Sequence, residues 1–171
     1  MTLPIEIGAG LANAESYASV AAADARCASL GLTAWSALAE ADKEIALRKA
    51  MIFMATYRTR WAGRRVHQHQ ALDWPRYNVA VDGFVVPSTI VPLDIVNACI
   101  DLAVRAGSGE DLLPDLDTGS NAIKRDKVGP IDTEYFQNTT DARERFVAVD
   151  ALLAPYFGSA GGGNSMKVVR A

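Results

Sequence analysis

The feature that most constrains the fold is a long stretch of helical apolar spacing between Glu40 and Trp61. Apolar residues recur there at intervals of three and four, which places them along one face of a helix. These positions are Ala46, Ala50, Phe53, Met54, Tyr57 and Trp61. Acids in the first turns and arginines near the end suit the helix dipole. The sequence therefore predicts a long central helix that stops at Gly63 and buries one face.

Shorter helices are predicted on both sides of this central one. The alanine-rich stretch from Val20 to Leu30 precedes a glycine, and a short turn follows with Thr33 in the position of a helix cap. A second major helix is expected to begin at Pro92 and to end near Gly107. A last helix is expected from Phe146 to Phe157.

Two β-hairpins interrupt the helices in this prediction. Asp82 and Gly83 lie between two short β-prone pieces, and a Gly-Pro turn separates residues 122–128 from 131–136. The predicted fold class is mainly α: a small helical bundle with a long central helix, a β-hairpin or extended-loop excursion, and an extended C-terminal tail. The helical domain with its hairpins would cover residues 1–158, and a Gly-rich linker with a β-prone arm residues 159–171.

Length and composition exclude several classes of protein. A chain of 171 residues, half of them apolar, fits one compact domain. No apolar run approaches the roughly 18 residues of a membrane span, and the start lacks the pattern of a signal peptide. We therefore expect synthesis in the cytoplasm and no membrane partner. Cys27 and Cys99 lie in apolar helical patterns, which favours buried thiols.

The sequence offers little for catalysis or for cofactor binding. The G-x-S-x-G, H-E-x-x-H and C-x-x-C motifs are missing, and His67 and His69 have no third ligand motif nearby. The Gly-Ser-Gly at 107–109 is followed by acids, so it cannot complete a phosphate-binding loop, and the acids at 110–117 lack EF-hand spacing. We predict that the protein is not an enzyme and has no catalytic residues, metal or cofactor.

Basic charge is concentrated between Arg58 and Arg76. This stretch contains five arginines and one aspartate, which gives it a charge of +4. Since the net charge of the chain is −3, the rest of the chain carries −7. Guanidiniums bind phosphates and exposed indoles stack on unpaired bases, so this stretch, with Trp61 and Trp74, could form a single-stranded-DNA site. Alternatively, the tryptophans pack the loop on the long helix and the arginines pair with acids. We favour the structural interpretation because Trp61 continues the buried stripe.

The same stretch carries a resemblance to a protein family. The pattern Trp-x-Gly-Arg-Arg, followed by Gln-Ala-Leu-x-Trp-Pro-Arg, resembles a structural family found in the virion gene clusters of tailed phages. Leu-Leu-Pro-Asp at 112–115, Lys-Val-Gly-Pro at 127–130 and Val-Asp-Ala-Leu-Leu at 149–153 extend the resemblance over about residues 16–157. Its members resemble head-to-tail adaptors, also called head-completion or connector proteins, and are often labelled DnaT-like single-stranded-DNA-binding proteins.

This resemblance implies a structural protein of the virion neck, made in the host cytoplasm. The protein would form a homo-oligomeric, dodecameric ring beneath the portal, link capsid to tail, and line the channel used in genome packaging and ejection. Its partners would be its own copies, the portal protein, a tail terminator, tube or nozzle protein, and genomic double-stranded DNA that passes without sequence-specific binding. The alternative is a DnaT-like single-stranded-DNA-binding protein, whose affinity would fall steeply with salt.

Three groups of residues are candidate contact sites under this interpretation. The motif residues are expected to serve the fold and subunit contacts: Trp61, Gly63, Arg64, Arg65, Leu72, Trp74, Pro75 and Arg76. A portal-binding arm would add a strand to another protein's sheet, unless it is a frayed terminus: Met166, Lys167, Val168, Val169 and Arg170. A DNA-channel or partner loop would contain Lys124, Arg125 and Lys127.

Overall fold

The computed structural model describes residues 2–114, 125–128, 131–134 and 146–158, with the backbone alone for the two ranges between 125 and 134. The fold is mainly helical, as the sequence predicts. Its helices are α1 (Val20–Ser29), α2 (Thr33–Ser36), α3 (Glu40–Met54), α4 (Leu93–Gly107) and α5 (Val147–Leu153). Two 3-10 turns, Ala55–Tyr57 and Ala154–Tyr156, extend α3 and α5. Within these described residues, six short strands form three separate antiparallel pairs.

Helices α3 and α4 pack against each other and form the centre of the molecule. Leu47 of α3 and Ile95 and Leu102 of α4 are fully buried, and α5 also packs against α4. Burying one such aliphatic side chain stabilises the fold by about 1.5–3 kcal/mol. The pair α3–α4 therefore provides the framework that holds the segment between the two helices, residues 55–92.

The central helix is shorter than the sequence predicts. Helix α3 ends at Met54, so the predicted continuation to Trp61 with a stop at Gly63 is wrong. The predicted apolar stripe is nevertheless buried throughout, including Tyr57 and Trp61. The spacing of four residues continues through the 3-10 turn, so apolar periodicity did not reveal where the α-helix ends.

Near the N-terminus one helix boundary is confirmed and one cap is wrong. Helix α1 spans Val20–Ser29, and the Ser19 side chain accepts a hydrogen bond from the Ala22 N–H at 3.0 Å. Thr33, predicted to cap the next turn, is instead the first helical residue, because Leu32 occupies the cap position without a side-chain acceptor. The Thr33 carbonyl accepts from the Ser36 hydroxyl at 2.7 Å.

The two predicted hairpins are present. Strands β3 (Ala80–Val81) and β4 (Phe84–Val85) flank the Asp82-Gly83 turn, and β5 (Arg125–Val128) pairs with β6 (Ile131–Glu134). A third pair, β1 (Arg64–Arg65) with β2 (Arg76–Tyr77), was not predicted. Lys124, residues 166–170 and the whole predicted tail lie outside the described residues.

Both cysteines are buried free thiols, as the sequence predicts. Burial raises the pKa of each, that of Cys99 to about 11. The Cys99 Sγ lies 3.7 Å from Met51 Sδ and 3.7 Å from the Ser16 hydroxyl, between α3, α4 and the N-terminal segment. In the part of the chain that the structure describes, none of the helices has the length and apolar character needed to cross a membrane.

Candidate nucleic-acid interface

The β1–β2 ribbon separates the arginines of the basic segment into an outer and an inner face. Arg64 lies opposite Tyr77 in the ladder, and Arg65 lies opposite Arg76. Cross-strand partners project to the same face of a ribbon. Arg64 and Tyr77 are exposed, whereas Arg65 is half-buried and Arg76 is buried. The ribbon therefore presents a guanidinium beside a phenol ring to solvent and turns its other two arginines inward.

Arg76 holds the segment together from the inside. Its Nε donates to the Ala62 carbonyl at 2.6 Å, Nη2 to the Gly63 carbonyl at 2.8 Å and Nη1 to the Asp73 carbonyl at 3.2 Å. Burial lowers the pKa of Arg76, and the like charge of Arg65 lowers it further, while Asp73 opposes both. The planar guanidinium thus joins the Ala62-Gly63 backbone, just before β1, to the Asp73 backbone, just before β2.

Gly63 permits the close approach of the two strands. Its backbone has φ of +65°, which favours glycine. A Cβ at this position would lie 2.2 Å from the Tyr77 carbonyl oxygen and 2.8 Å from Val79 Cγ2. Gly63 is therefore required by the ribbon and does not end a helix.

Trp61 and Trp74 lie in the core, so their proposed role in stacking on bases is not supported by the structure. Trp61 is 6 % exposed and Trp74 is 0 % exposed. The Trp74 backbone N–H donates to Tyr17 Oη at 2.9 Å. Pro75, the next residue, is also buried, and Leu72 is half-buried. Within the described residues, neither indole N–H has a hydrogen-bond partner.

Arg58 and Arg60 lie at the surface, and each has an acidic partner. Arg58 Nε donates to Asp73 Oδ1 at 3.0 Å, and its side chain is 57 % exposed. Arg60 Nη1 lies 3.6 Å from Asp150 Oδ1, and its guanidinium carbon lies 4.0 Å from the Phe157 ring centroid. Both guanidiniums thus keep part of their donor capacity towards solvent, but their charge is partly compensated.

Arg64 differs from these two. It is exposed, and it makes no hydrogen bond or ion pair with any residue that the structure describes. Arg65, behind it, donates from Nη1 to the Gln70 carbonyl at 3.1 Å. Among the described residues, none occupies the donors of Arg64 or pairs with its charge, so Arg64 is the arginine of this segment best placed to bind an anionic ligand.

The loop that joins β1 to β2 is ordered by a buried amide. Gln70 is 3 % exposed, and its Nε2 donates to the carbonyls of Leu72 and Pro75 at 2.8 and 3.1 Å. Its Oε1 accepts from the His67 backbone N–H at 2.9 Å. The Ala71 N–H donates to the Leu11 carbonyl at 2.9 Å, so the N-terminal segment supports the loop from outside.

The N-terminal support depends on Glu6, which the sequence analysis missed. Its carboxylate is 1 % exposed and accepts from the backbone N–H groups of Gly8, Gly10 and Leu11 at 2.6–2.9 Å. In the sequence, Gly8 and Gly10 closely follow Glu6, and this pattern could have indicated such a turn. Glu6 therefore fixes the N-terminal segment whose Leu11 carbonyl supports the loop.

The hairpin of β3 and β4 follows the ribbon after two residues. Val79 is buried, and its carbonyl accepts from the Val86 N–H at 2.9 Å, which anchors the base of the hairpin. At the tip, Asp82 and Gly83 both have positive φ, as in a type I′ turn. Phe84 is 79 % exposed and Val85 76 % exposed, so the hairpin projects from the fold with an unburied aromatic ring.

The described residues contain little that resembles a catalytic or metal centre. None of their His, Cys, Asp and Glu side chains form a group of three or more that could hold a metal ion. A cleft of about 70 Å³ between Arg58, Trp61 and Asp73 is well below the roughly 300 Å³ of small-molecule sites. A larger cleft of about 330 Å³ lies beside Trp35, where Asp24 and Lys43 already satisfy each other at 2.9 Å.

Comparison with known proteins gives one match. A family model described as "Putative DnaT-like ssDNA binding protein" matches residues 1–171. No curated protein matches, and no solved structure matches.

This match corrects the interpretation drawn from the resemblance. The head-to-tail adaptor assignment is wrong, and so are the virion, connector and portal-binding roles that followed from it. The description of the matching family names single-stranded-DNA binding and mentions no connector. The Trp/Arg motif did not distinguish the two, because in the structure most of its residues hold the segment together. The partner proteins and the location implied by the resemblance stay predictions.

Proposed function

The chain belongs to the family of DnaT-like single-stranded-DNA-binding proteins, and on that premise we propose that it binds single-stranded DNA through a basic face formed by Arg58, Arg60 and Arg64. The proposed role is binding alone, without catalysis. Contacts to phosphates bring affinity without sequence preference, which suits a protein that covers unpaired strands.

The observation that carries this proposal is Arg64, which is exposed and has no partner among the described residues, in the most basic segment of a chain that is acidic overall. The segment from Arg58 to Arg76 carries +4, whereas the rest of the chain carries −7. A polyanion is therefore attracted to this segment and repelled by most of the remaining surface. Arginine binds phosphate oxygens with two parallel donors, and Arg64 has them free of partners within the described residues.

The neighbouring arginines are expected to contribute less. Arg58 and Arg60 must share their donors with Asp73 and Asp150, whose side chains are only 6 % and 16 % exposed. A phosphate is therefore expected to bind the solvent-facing side of each guanidinium, because displacing a mostly buried carboxylate would leave its charge unpaired. Arg76 is excluded from direct contact because its donors are bound to buried carbonyls.

Binding of a fluorescently labelled oligo(dT), followed by anisotropy at several salt concentrations, tests the proposal. With about three phosphates contacted, the logarithm of the affinity should fall against log salt with a slope of about −2. A duplex of the same length serves as the competitor and should bind more weakly. Absence of binding at low salt, or binding without salt dependence, would overturn the proposed function.

A further inference from the structure

Phe84 is an aromatic side chain that the fold leaves without a packing role. It is 79 % exposed, although its cross-strand partner Val81 packs partly against the core. Tryptophan and most other large aromatics of the described residues are buried in the core, including Phe53, Phe146 and the three indoles. Because the phenyl ring is exposed, the fold does not gain the hydrophobic stabilisation that burial of such a ring usually provides.

The hairpin presents this ring in a fixed place. Its base is held by buried Val79 and by the Val86–Val79 hydrogen bond, and its turn is the two-residue Asp-Gly type that matches the twist of the strands. A ring on a two-residue hairpin keeps its position relative to the strands. Phe84 is therefore preorganised for contact, in contrast to a side chain on a long loop.

The hairpin adjoins the basic face. Strand β2 ends at Tyr77 and β3 begins at Ala80, so three Cα–Cα steps of 3.8 Å, about 11 Å at most, separate the ribbon from the hairpin. Tyr77 is 38 % exposed and lies opposite Arg64. An unpaired strand bound by its phosphates at Arg64 has its bases within reach of Tyr77 and, further along, of Phe84.

From this placement we infer that Phe84 stacks on an unpaired base of the bound strand and so makes the protein prefer single-stranded DNA to duplex. The inference rests on the proposed function. The bases of a duplex are stacked on each other and their faces are closed, whereas every unpaired base offers a π-face. The positive charge beside the hairpin favours a nucleic acid over an apolar protein surface as the occupant of this ring.

The test compares two strands that share a phosphate backbone. Affinity is measured for oligo(dT) and for an abasic oligonucleotide of equal length, using the wild type, Phe84→Ala and Phe84→Trp. Stacking on one base is worth roughly 1–3 kcal/mol, so the wild type should bind oligo(dT) about tenfold more tightly than the abasic strand. Phe84→Ala should lose most of that ratio while its affinity for the abasic strand stays unchanged, and Phe84→Trp should retain it.

Val147→Ala is the matched control, because Val147 is an apolar side chain of 76 % exposure on α5. It should leave both affinities unchanged. In Phe84→Trp, oligo(dT) should also quench the new indole, since the three native tryptophans are buried. If the wild type binds both strands and Phe84→Ala keeps the ratio, the inference is overturned while the proposed function stands. If the wild type binds neither strand, the proposed function itself fails.

Discussion

The indole rings of Trp61 and Trp74 meet edge to face, with their planes at 90° and their centroids 5.9 Å apart. Trp61 follows the helical region of α3, and Trp74 comes from the loop between β1 and β2. This contact joins the end of the central helix to the loop that follows it. Aromatic pairs in this geometry contribute about 0.5–1.5 kcal/mol beyond the area they bury.

Trp74→Ala should therefore destabilise the fold strongly. Removing a fully buried indole leaves a cavity and should lower the free energy of unfolding by about 3–5 kcal/mol. Urea denaturation followed by circular dichroism measures this change. Ile52→Ala, at a 63 % exposed position of α3, is the control and should stay close to the wild type. A loss below about 1 kcal/mol in Trp74→Ala would show that the ring is not part of the core.

Arg64→Ala should weaken binding of oligo(dT) and reduce its dependence on salt. Loss of one phosphate contact lowers the steepness of the log affinity against log salt by about 0.7. Lys49→Ala is the matched control, because Lys49 is an exposed cation of α3 outside the basic segment. The same reduction in both variants would show that net charge, and not the position of Arg64, governs binding.

Arg76→Met should reduce stability, and it should weaken DNA binding less than Arg64→Ala does, because Arg76 makes no contact with the bound strand. Methionine keeps the apolar stem but leaves the carbonyls of Ala62, Gly63 and Asp73 without their donor, at a cost of about 2–4 kcal/mol in unfolding free energy. Thermal and urea denaturation measure the loss. The stability of Arg76→Lys should lie between those of the wild type and Arg76→Met, since an ammonium group cannot reproduce the planar arrangement of the guanidinium donors. Wild-type stability in Arg76→Met would contradict the structural role.

Gly63→Ala and Gly31→Ala separate a steric cost from a conformational one. The backbone φ is +65° at Gly63 and +70° at Gly31, so alanine at either position should introduce a similar conformational strain of about 1 kcal/mol. Only at Gly63 would the new Cβ meet backbone, at 2.2 Å from the Tyr77 carbonyl. Gly63→Ala should therefore lower the denaturation midpoint clearly more than Gly31→Ala. Equal losses would show that the ribbon can adjust.

Alkaline pH should destabilise the protein partly through Cys99. Burial raises the pKa of its thiol from 9.0 to about 11, so the unfolded chain ionises first. The stabilising contribution is complete below pH 9 and is lost as the pH rises towards 11, by roughly 1 kcal/mol between pH 8.5 and 10.

Cys99→Ala removes this titration, and its unfolding free energy should decline less over the same interval. Its lower stability at neutral pH is an offset that does not affect the slope. Cys27, whose pKa burial also raises, titrates in both proteins and cancels in the comparison. Parallel pH profiles for the two proteins would contradict the assignment.

Much of the fold could be predicted because local patterns decided it. The alanine-rich α1 and the Asp82-Gly83 hairpin follow from residue preferences over a few positions. The β1–β2 ribbon could not be predicted in this way, since strands of two residues show no alternation and the side chain of Arg76 in β2 holds the backbone just before β1. The end of α3 was missed because the same spacing continues through a different helix type.

The candidate site was harder to predict than the fold. Sequence reasoning identified the basic segment but could not tell which arginines face outward, because this depends on the register that pairs Arg64 with Tyr77. Phe84 was placed in a hairpin without any role assigned to it. Its exposure is a tertiary property, since the same residue type at Phe53 is buried.

The hydrogen bonds of Arg76 also have an electrostatic consequence. Its donors are bound to carbonyls, which carry no net charge, so the positive charge beneath the ribbon is offset only in part, by the nearby Asp73 carboxylate. In a medium of low polarisability this charge is poorly screened, and its potential extends to the outer face where Arg64 lies. An approaching polyanion thus experiences a guanidinium that it never touches, and the interior of the protein contributes to the attraction of its surface.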